Sequence, residues 1–493
     1  MKKITPILIT LCALFLLNSC AIDRDDEIQP LSELEIENFI YSGMQLYYLY
    51  KPQISELAND FFETQSELNG FLDGFESPES LFYDGLVADV DRFSFITEDY
   101  RELENSFAGI SKTSGIDYGL ALDPGDPNFA FAFVRYVLPN TSASESGVLR
   151  GMLFNTINGE RLTTTANANG TYSLSVRSRE LLALDSFTIQ TGTFDANDVF
   201  QPSGTNFDLI QEEYTENPIF IAKTLDLEGK KIGYLMYNAY RRNFDQELNA
   251  AFAQFQADGI EDLVLDLRYN GGGSVETAID LTSMITGQFE GQIVTQQQWN
   301  PEIQAAFDAE EPESLIDRFD STISNGNAIN SLNLNRLYVI GTGSTASASE
   351  LTIIGLTPYM DVQTVGTTTV GKFQASITLY DSDNFRKNDE SLNLNHRYAI
   401  QPLVYTYSNK NGVVGPPSGI IPDFELSEDL SNLGTLGDPD EPLLSLALNQ
   451  ILGKGLVSSK KSHGTVFEVI GERENQKQDY QRMYIEELPD SFE

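Results

Sequence analysis

The residues whose types could do chemistry lie in a serine-rich segment and in a lysine segment that follows it. Gly343-Ser344-Thr345-Ala346-Ser347-Ala348-Ser349-Glu350 offers hydroxyls at Ser344, Ser347 and Ser349. Val365-Gly366-Thr367-Thr368-Thr369-Val370-Gly371-Lys372 ends on a lysine and carries no other charge. A serine hydroxyl is a poor nucleophile and needs a neighbouring base. Histidine is scarce here: the chain holds only His396 and His463, which argues against a Ser-His-Asp triad. A lysine amine, with an unperturbed pKa of ~10.4, is charged at neutral pH. Burial disfavours the ammonium and can lower that value by several units. Bringing an amine down to about 7 costs roughly 4–5 kcal/mol of stability, at ~1.36 kcal/mol per unit, which a fold hardly sustains without a use. The uncharged run before Lys372 suits a dry setting.

Acyl transfer also needs donors for a developing oxyanion. The amide of Ala348 is one candidate. A second is the amide of Gly271, Gly272 or Gly273, where the absence of a side chain lets backbone approach substrate. A phosphate loop is the rival reading of three glycines, but no Gly-Lys-Ser/Thr ending and no GxGxxG spacing is present. Ser347-x-x-Glu350 is also a capping box. A helix cap and a nucleophile are compatible roles, because a helix N-terminus favours negative charge.

The elements that must position these residues alternate between strand and helix. Lys231–Tyr237, Leu263–Arg268 and Arg336–Ile340 read as strands. Residues 245–257 and 275–285 read as helices, and another helix starts near Ser347. Such alternation predicts parallel pairing with crossovers. The polar stretch 296–332 reads as an insertion or cap. Before this core, residues 34–107 show a period near 3.6 (Ile36, Phe39, Ile40, Met44, Tyr47), which predicts a small helical bundle. Residues 108–193 carry short β-rich runs separated by turn residues. The tail, 454–493, is highly charged and is expected to be poorly ordered.

Three segments in this order, Leu265-Asp266-Leu267-Arg268-Tyr269-Asn270-Gly271-Gly272-Gly273, Thr345-Ala346-Ser347-Ala348-Ser349-Glu350 and Gly371-Lys372, resemble the carboxyl-terminal processing proteases, the tail-specific serine peptidases. Gly419-Ile420-Ile421-Pro422-Asp423 resembles the motif near the end of that family's catalytic domain. The resemblance implies a Ser347/Lys372 dyad, since Lys372 follows Ser347 at the family's spacing. It implies a multidomain α+β and α/β protein: a helical segment, a PDZ-like β-rich domain and a ClpP/crotonase-like β/α serine peptidase core. No cofactor is implied. The family often places a Gln four residues after the Lys. Here that position is Ser376, with Gln374 two after, so both are candidates to orient the amine. Tyr118-Gly119-Leu120-Ala121-Leu122 resembles a PDZ carboxylate-binding loop and its following strand, and 137–159 the pattern that closes on Ile157-Asn158-Gly159. Met152 replaces the usual Asp after Gly151. Such a domain takes a peptide C-terminus as an added strand. Asp266 with Arg268 reads as a structural pair, and His396 and Trp299 as packing residues.

The expected boundaries are a leader at 1–19, an acidic tether at 20–33, the helical domain at 34–107, the PDZ-like domain at 108–193, a connector at 194–225, the peptidase core at 226–425 and a C-terminal helix with charged tail at 426–493. Residues 1–20 combine Lys2 and Lys3 with an apolar core too short to span a bilayer. They end Leu17-Asn18-Ser19-Cys20, which resembles a bacterial lipobox with Cys20 as the lipidated residue. The expected location is the bacterial cell envelope, held to a membrane by acyl chains. Among 493 residues, 73 acidic against 31 basic give a net charge of −42. A chain so acidic, with no basic patch, excludes nucleic acid as a partner. Two cysteines exclude a disulfide scaffold and a zinc finger. The reading is a serine endopeptidase acting on unfolded protein or peptide tails. Its rivals are a non-catalytic peptide- or ligand-binding lipoprotein and a structural envelope protein. The helical ends of the family sometimes dimerise, which makes 34–107 a candidate homo-oligomer contact.

Overall fold

The computed structural model describes residues 34–455 and 467–487, which form a mixed α/β protein. The leader, Cys20, the tether and His463 lie outside the described residues. At the centre is a six-stranded sheet ordered 219–227, 230–237, 262–266, 336–341, 361–366 and 424–425. The first two strands are an antiparallel hairpin whose turn residues, Glu228 and Gly229, both take positive φ (54° and 81°), the turn that matches strand twist. All later pairings in this sheet are parallel, as crossovers through helices require.

Side-chain alternation along these strands divides the core in two. Leu235, Leu263, Leu265, Leu337 and Val339 pack with the helices Asp245–Asp258, Val275–Thr286 and Ala348–Leu356. Tyr234, Met236, Val264, Ile340 and Val365 pack on the other face with the helix Pro442–Ile451. The N-terminal helix Glu35–Tyr47 contributes Ile40, Met44 and Tyr47 to the first of these cores. The N-terminal segment is thus fused to the centre, and its strand Phe95–Thr97 pairs with Ala399–Gln401.

A second sheet runs 273–274, 483–485, 374–377, 403–409, 293–299 and 316–318. The stretch expected to form a cap therefore supplies two of its strands and the helix Pro301–Glu310. Trp299 is buried there against Phe307 and Tyr405. His396 bonds Asp381 at 2.9 Å and accepts the Tyr398 N–H at 3.0 Å.

The β-rich unit is a sheet ordered 200–210, 186–194, 153–157, 130–137, 116–122 and 469–472. Two boundaries read from sequence need correction. Residues 194–225 are strand rather than connector: Phe200–Ile210 pairs with Ser186–Phe194, and Glu212–Thr215 with Ile110–Thr113. Phe200–Ile210 is mostly exposed and polar, so it carries little hydrophobic period to read. The described part of the charged tail is built in as the strands Val469–Glu472 and Met483–Ile485. Its charges are paired, Lys477 with Glu474 at 2.8 Å and Asp479 with Arg241 at 3.3 Å, while Met483 and Tyr484 are buried.

Asp266 and Arg268 do pair, at 2.8 Å, and the same wholly buried guanidinium bonds Glu441 at 2.7 and 2.9 Å and the less buried Glu428 at 3.2 Å. Arg268→Met would strand two buried carboxylates. It is expected to cost about 3–5 kcal/mol of stability, read by denaturant unfolding.

Candidate active site

Ser347 stands between the strand Arg336–Gly341 and the helix Ala348–Leu356. Its backbone is at φ 61° and ψ −117°, a strained conformation for a residue with a Cβ, worth about 1–3 kcal/mol. A sharp strand-to-helix turn of this kind presents a nucleophile at the top of a parallel sheet. The turn is pinned by its neighbours. Thr345 donates its hydroxyl to Leu267 O (2.7 Å), Thr342 donates to Arg268 O, and the Ala346 N–H donates to Asn270 O (3.1 Å). The three candidate hydroxyls differ in what they face. Ser349 donates to Asn270 O at 3.2 Å, Ser344 donates to Glu472 at 2.7 Å, and Ser347 donates to Gln481 O at 3.1 Å.

Lys372 is completely buried. Among the described residues its amine has no hydrogen-bond partner, and it lies 5.2 Å from the centre of the Phe93 ring. Burial pushes its pKa well below the ordinary lysine value; the Arg482 guanidinium acts in the same direction, and Asp91 and Glu350 oppose it. The two candidate orienting side chains do not reach this amine. Ser376 donates instead to Met483 O at 2.9 Å, and Gln374 bonds Tyr50. The strand Gln374–Ile377 is bordered by the tail strand, and that neighbour takes the Ser376 hydroxyl.

Glu350 joins the serine and lysine segments. One oxygen of its buried carboxylate accepts both the Ser347 N–H and the Lys372 N–H, each at 2.9 Å. The other accepts the Gly371 N–H at 2.8 Å and the Thr369 hydroxyl. The two backbone nitrogens are therefore held within two hydrogen-bond lengths of each other. Burial raises the Glu350 pKa while these four donors lower it. Sequence reasoning read Glu350 only as a helix cap. Its position three residues after Ser347 was the signal, but its reach to 369–372 is tertiary.

The glycine loop approaches Ser347 closely. A Cβ on Gly272 (φ 113°) would come within 2.6 Å of both Ser347 Cβ and Arg482 O, and 3.2 Å from the Ala348 nitrogen. The amides themselves are turned elsewhere: Gly272 N–H donates to Asn270 Oδ1 at 2.8 Å, and Gly273 N–H to Arg482 O at 2.7 Å. In this conformation neither is directed at an oxyanion on Ser347. Asn270, which sequence reasoning passed over, holds the loop from both sides, since its Nδ2 also donates to Tyr237 O at 2.8 Å.

Tyr118, Gly119, Leu120 and Ala121 all lie inside the strand Ile116–Leu122 rather than in a loop. Gly119 is needed for packing, because the Phe133 ring occupies the place of a Cβ; the turn glycine is Gly115, at φ 97°. The edge of this strand is paired with Val469–Glu472.

Residues 231–426 match the sequence profile of peptidase family S41, and residues 35–95 match the peptidase S41 N-terminal domain. A carboxyl-terminal-processing protease of Synechocystis sp. is 23% identical over 258 residues, 52% of each chain. The chain thus matches about half the length of that curated relative. The crystal structure of an S41 protease from Bacteroides fragilis NCTC 9343 superposes with a TM-score of 0.63 at 25% identity, covering 87% of this chain and 99% of that one. The chain belongs to peptidase family S41, the carboxyl-terminal processing proteases.

Proposed function

We propose that the protein is a serine endopeptidase that works through Ser347 and Lys372. The observation that carries this reading is Lys372: its amine is wholly buried and, among the described residues, without a hydrogen-bond partner, while its backbone N–H shares one Glu350 oxygen with the N–H of a strained serine. A neutral amine takes the Ser347 proton, and the hydroxyl oxygen attacks a peptide carbonyl. The tetrahedral oxyanion is met by backbone amides, with Ala348 and the glycine loop as the nearest sources. The same amine, now protonated, gives its proton to the leaving nitrogen. It then activates the water that hydrolyses the acyl-enzyme.

The β-rich unit acts as a PDZ-like reader, taking an extended peptide along the edge of Ile116–Leu122. The core is of the ClpP/crotonase type. Cys20 anchors the protein by acyl chains to the bacterial envelope, where unfolded tails of envelope or extracellular proteins are the substrates. The test incubates the chain from residue 21 onward with an unfolded protein and reads the products by mass spectrometry. Cleavage is expected to fall about 10³-fold or more in Ser347→Ala. Cleavage that survives this substitution places the nucleophile elsewhere, and a wild type that binds peptide without cutting it makes the protein a binding module.

A further inference from the structure

Gln481, whose carbonyl accepts the Ser347 hydroxyl, belongs to the stretch 467–487. Val469–Glu472 lies antiparallel on the edge of Ile116–Leu122, in register with Ala121, Leu120 and Gly119. The Leu122 N–H donates to Glu468 O at 2.9 Å, and Phe467 packs edge-on to Phe131, with ring centres 5.0 Å apart. Glu472 is then clamped by Arg135 and by the Ser344 hydroxyl. Eleven residues further on, Met483–Ile485 enters the core as a strand between Gly273–Ser274 and Gln374–Ile377, parallel to both. It therefore separates the glycine loop from the strand that follows Lys372.

The contacts in that slot are those a peptide backbone would make. The Gly273 N–H donates to Arg482 O, the Ser376 hydroxyl donates to Met483 O, and the Ser347 hydroxyl donates to Gln481 O. The register is unproductive. The Ser347 proton is directed at a tail carbonyl while the Lys372 amine has no hydrogen-bond partner among the described residues. Gln481 is itself at φ 51°, off the extended backbone of the strand that follows it. Of the glycine-loop amides, that of Gly273 is taken by the tail carbonyl of Arg482 and that of Gly272 by the Asn270 side chain.

We propose that residues 467–487 are a built-in pseudosubstrate that holds the enzyme closed, and that an extended peptide adding to the edge of Ile116–Leu122 opens it. The inference rests on the peptidase reading above. The coupling follows from chain continuity. A peptide can take the edge only by displacing Val469–Glu472, and the strand Met483–Ile485 then loses the anchor that keeps it in the slot. The peptide and the tail exclude each other at the edge, so peptide binding favours the open state by its differential affinity. The opener is a polypeptide in extended form, and a substrate's own tail qualifies.

The test uses the full chain with two tail substitutions. Tyr484→Ala removes a ring stacked 3.9 Å from Phe107, and Glu472→Gln removes the charge opposite Arg135. Hydrogen exchange by mass spectrometry reports on peptides from 467–487, and cleavage of an unfolded protein reports on activity. A synthetic peptide of residues 467–473 serves as the opener. Faster tail exchange is expected in both variants, and in wild type with the peptide in excess, together with a rise in kcat/KM of about tenfold or more. Faster tail exchange with unchanged or lower cleavage overturns the inference and makes the tail a structural strand. Absence of cleavage in every sample, with Ser347 unreactive to a fluorophosphonate, overturns the peptidase reading and this inference with it. Ser347 that reacts with the probe equally in all samples overturns only the inference.

Discussion

On the proposed mechanism, Lys372→Met is expected to cut cleavage steeply and to make the fold more stable. The two effects have one cause. The amine is buried beside the Phe93 ring and has no hydrogen-bond partner among the described residues, and an unsatisfied buried polar group of this kind costs about 1–3 kcal/mol. Methionine fills much the same volume without a polar tip, so unfolding in denaturant should show a gain of that order. Cleavage should fall by about 10³-fold, because the proposed mechanism assigns the removal of the Ser347 proton to this amine. The gain depends on pH. The amine's native pKa lies below its unfolded one, so between the two values the unfolded state binds more protons. Wild-type stability from this group is fully present only above the ordinary lysine value of 10.5 and is lost as pH falls. The advantage of Lys372→Met is therefore largest at neutral and acid pH and narrows as pH rises toward that value. On the proposed mechanism the same burial sets the base: its lowered pKa places the acid limb of the rate profile below the usual lysine range. A variant that is inactive but no more stable would mean that the amine is solvated in the working enzyme.

What the sequence made legible was local. The buried strands of the centre, Lys230–Tyr237, Asp262–Asp266 and Arg336–Gly341, are continuous apolar runs, and the helices between them carry caps, such as Ser274 before Val275 and Gly259 after Asp258. Each signal lies within a dozen residues. The serine and lysine segments were legible through their residue types and the motifs around them. What escaped was pairing at long range. Nothing near Glu350 shows that its carboxylate will gather the amides of 371 and 372, and nothing near Gln374 or Ser376 shows that a strand more than a hundred residues later will border them. The tail was hidden by composition. Its charges read as solvated, whereas Arg482 lies 4.3 Å from the Phe95 ring and donates to Phe93 O. Residues 200–210 escaped because an edge strand with polar side chains on both faces has no period to detect.

Glu350 is the second residue on which a large effect is expected, and it acts through its neighbours rather than on substrate. Its carboxylate satisfies three buried N–H groups and one hydroxyl. Glu350→Ala leaves those amides without partners, at about 1–3 kcal/mol each, and frees the serine turn from the lysine segment. A loss of about 3 kcal/mol or more in stability is expected, with kcat down by about 10²-fold and KM little changed, since no part of substrate is touched. Glu350→Gln is the informative variant. Its single carbonyl oxygen can keep the Ser347 and Lys372 amides while its NH₂ donates to the Thr369 hydroxyl, leaving only Gly371 unpaired. Both stability and kcat should lie between wild type and alanine. A purely structural role would predict no more than that. The charge predicts something further. The groups that act on the Lys372 amine are Arg482, which disfavours its ammonium, and Asp91 and Glu350, which favour it. Removing the Glu350 charge lowers the amine's pKa further, so the acid limb of the rate profile in Glu350→Gln should move to lower pH. A limb that stays in place, or moves to higher pH, would separate Glu350 from the tuning of the base and leave it a backbone clamp.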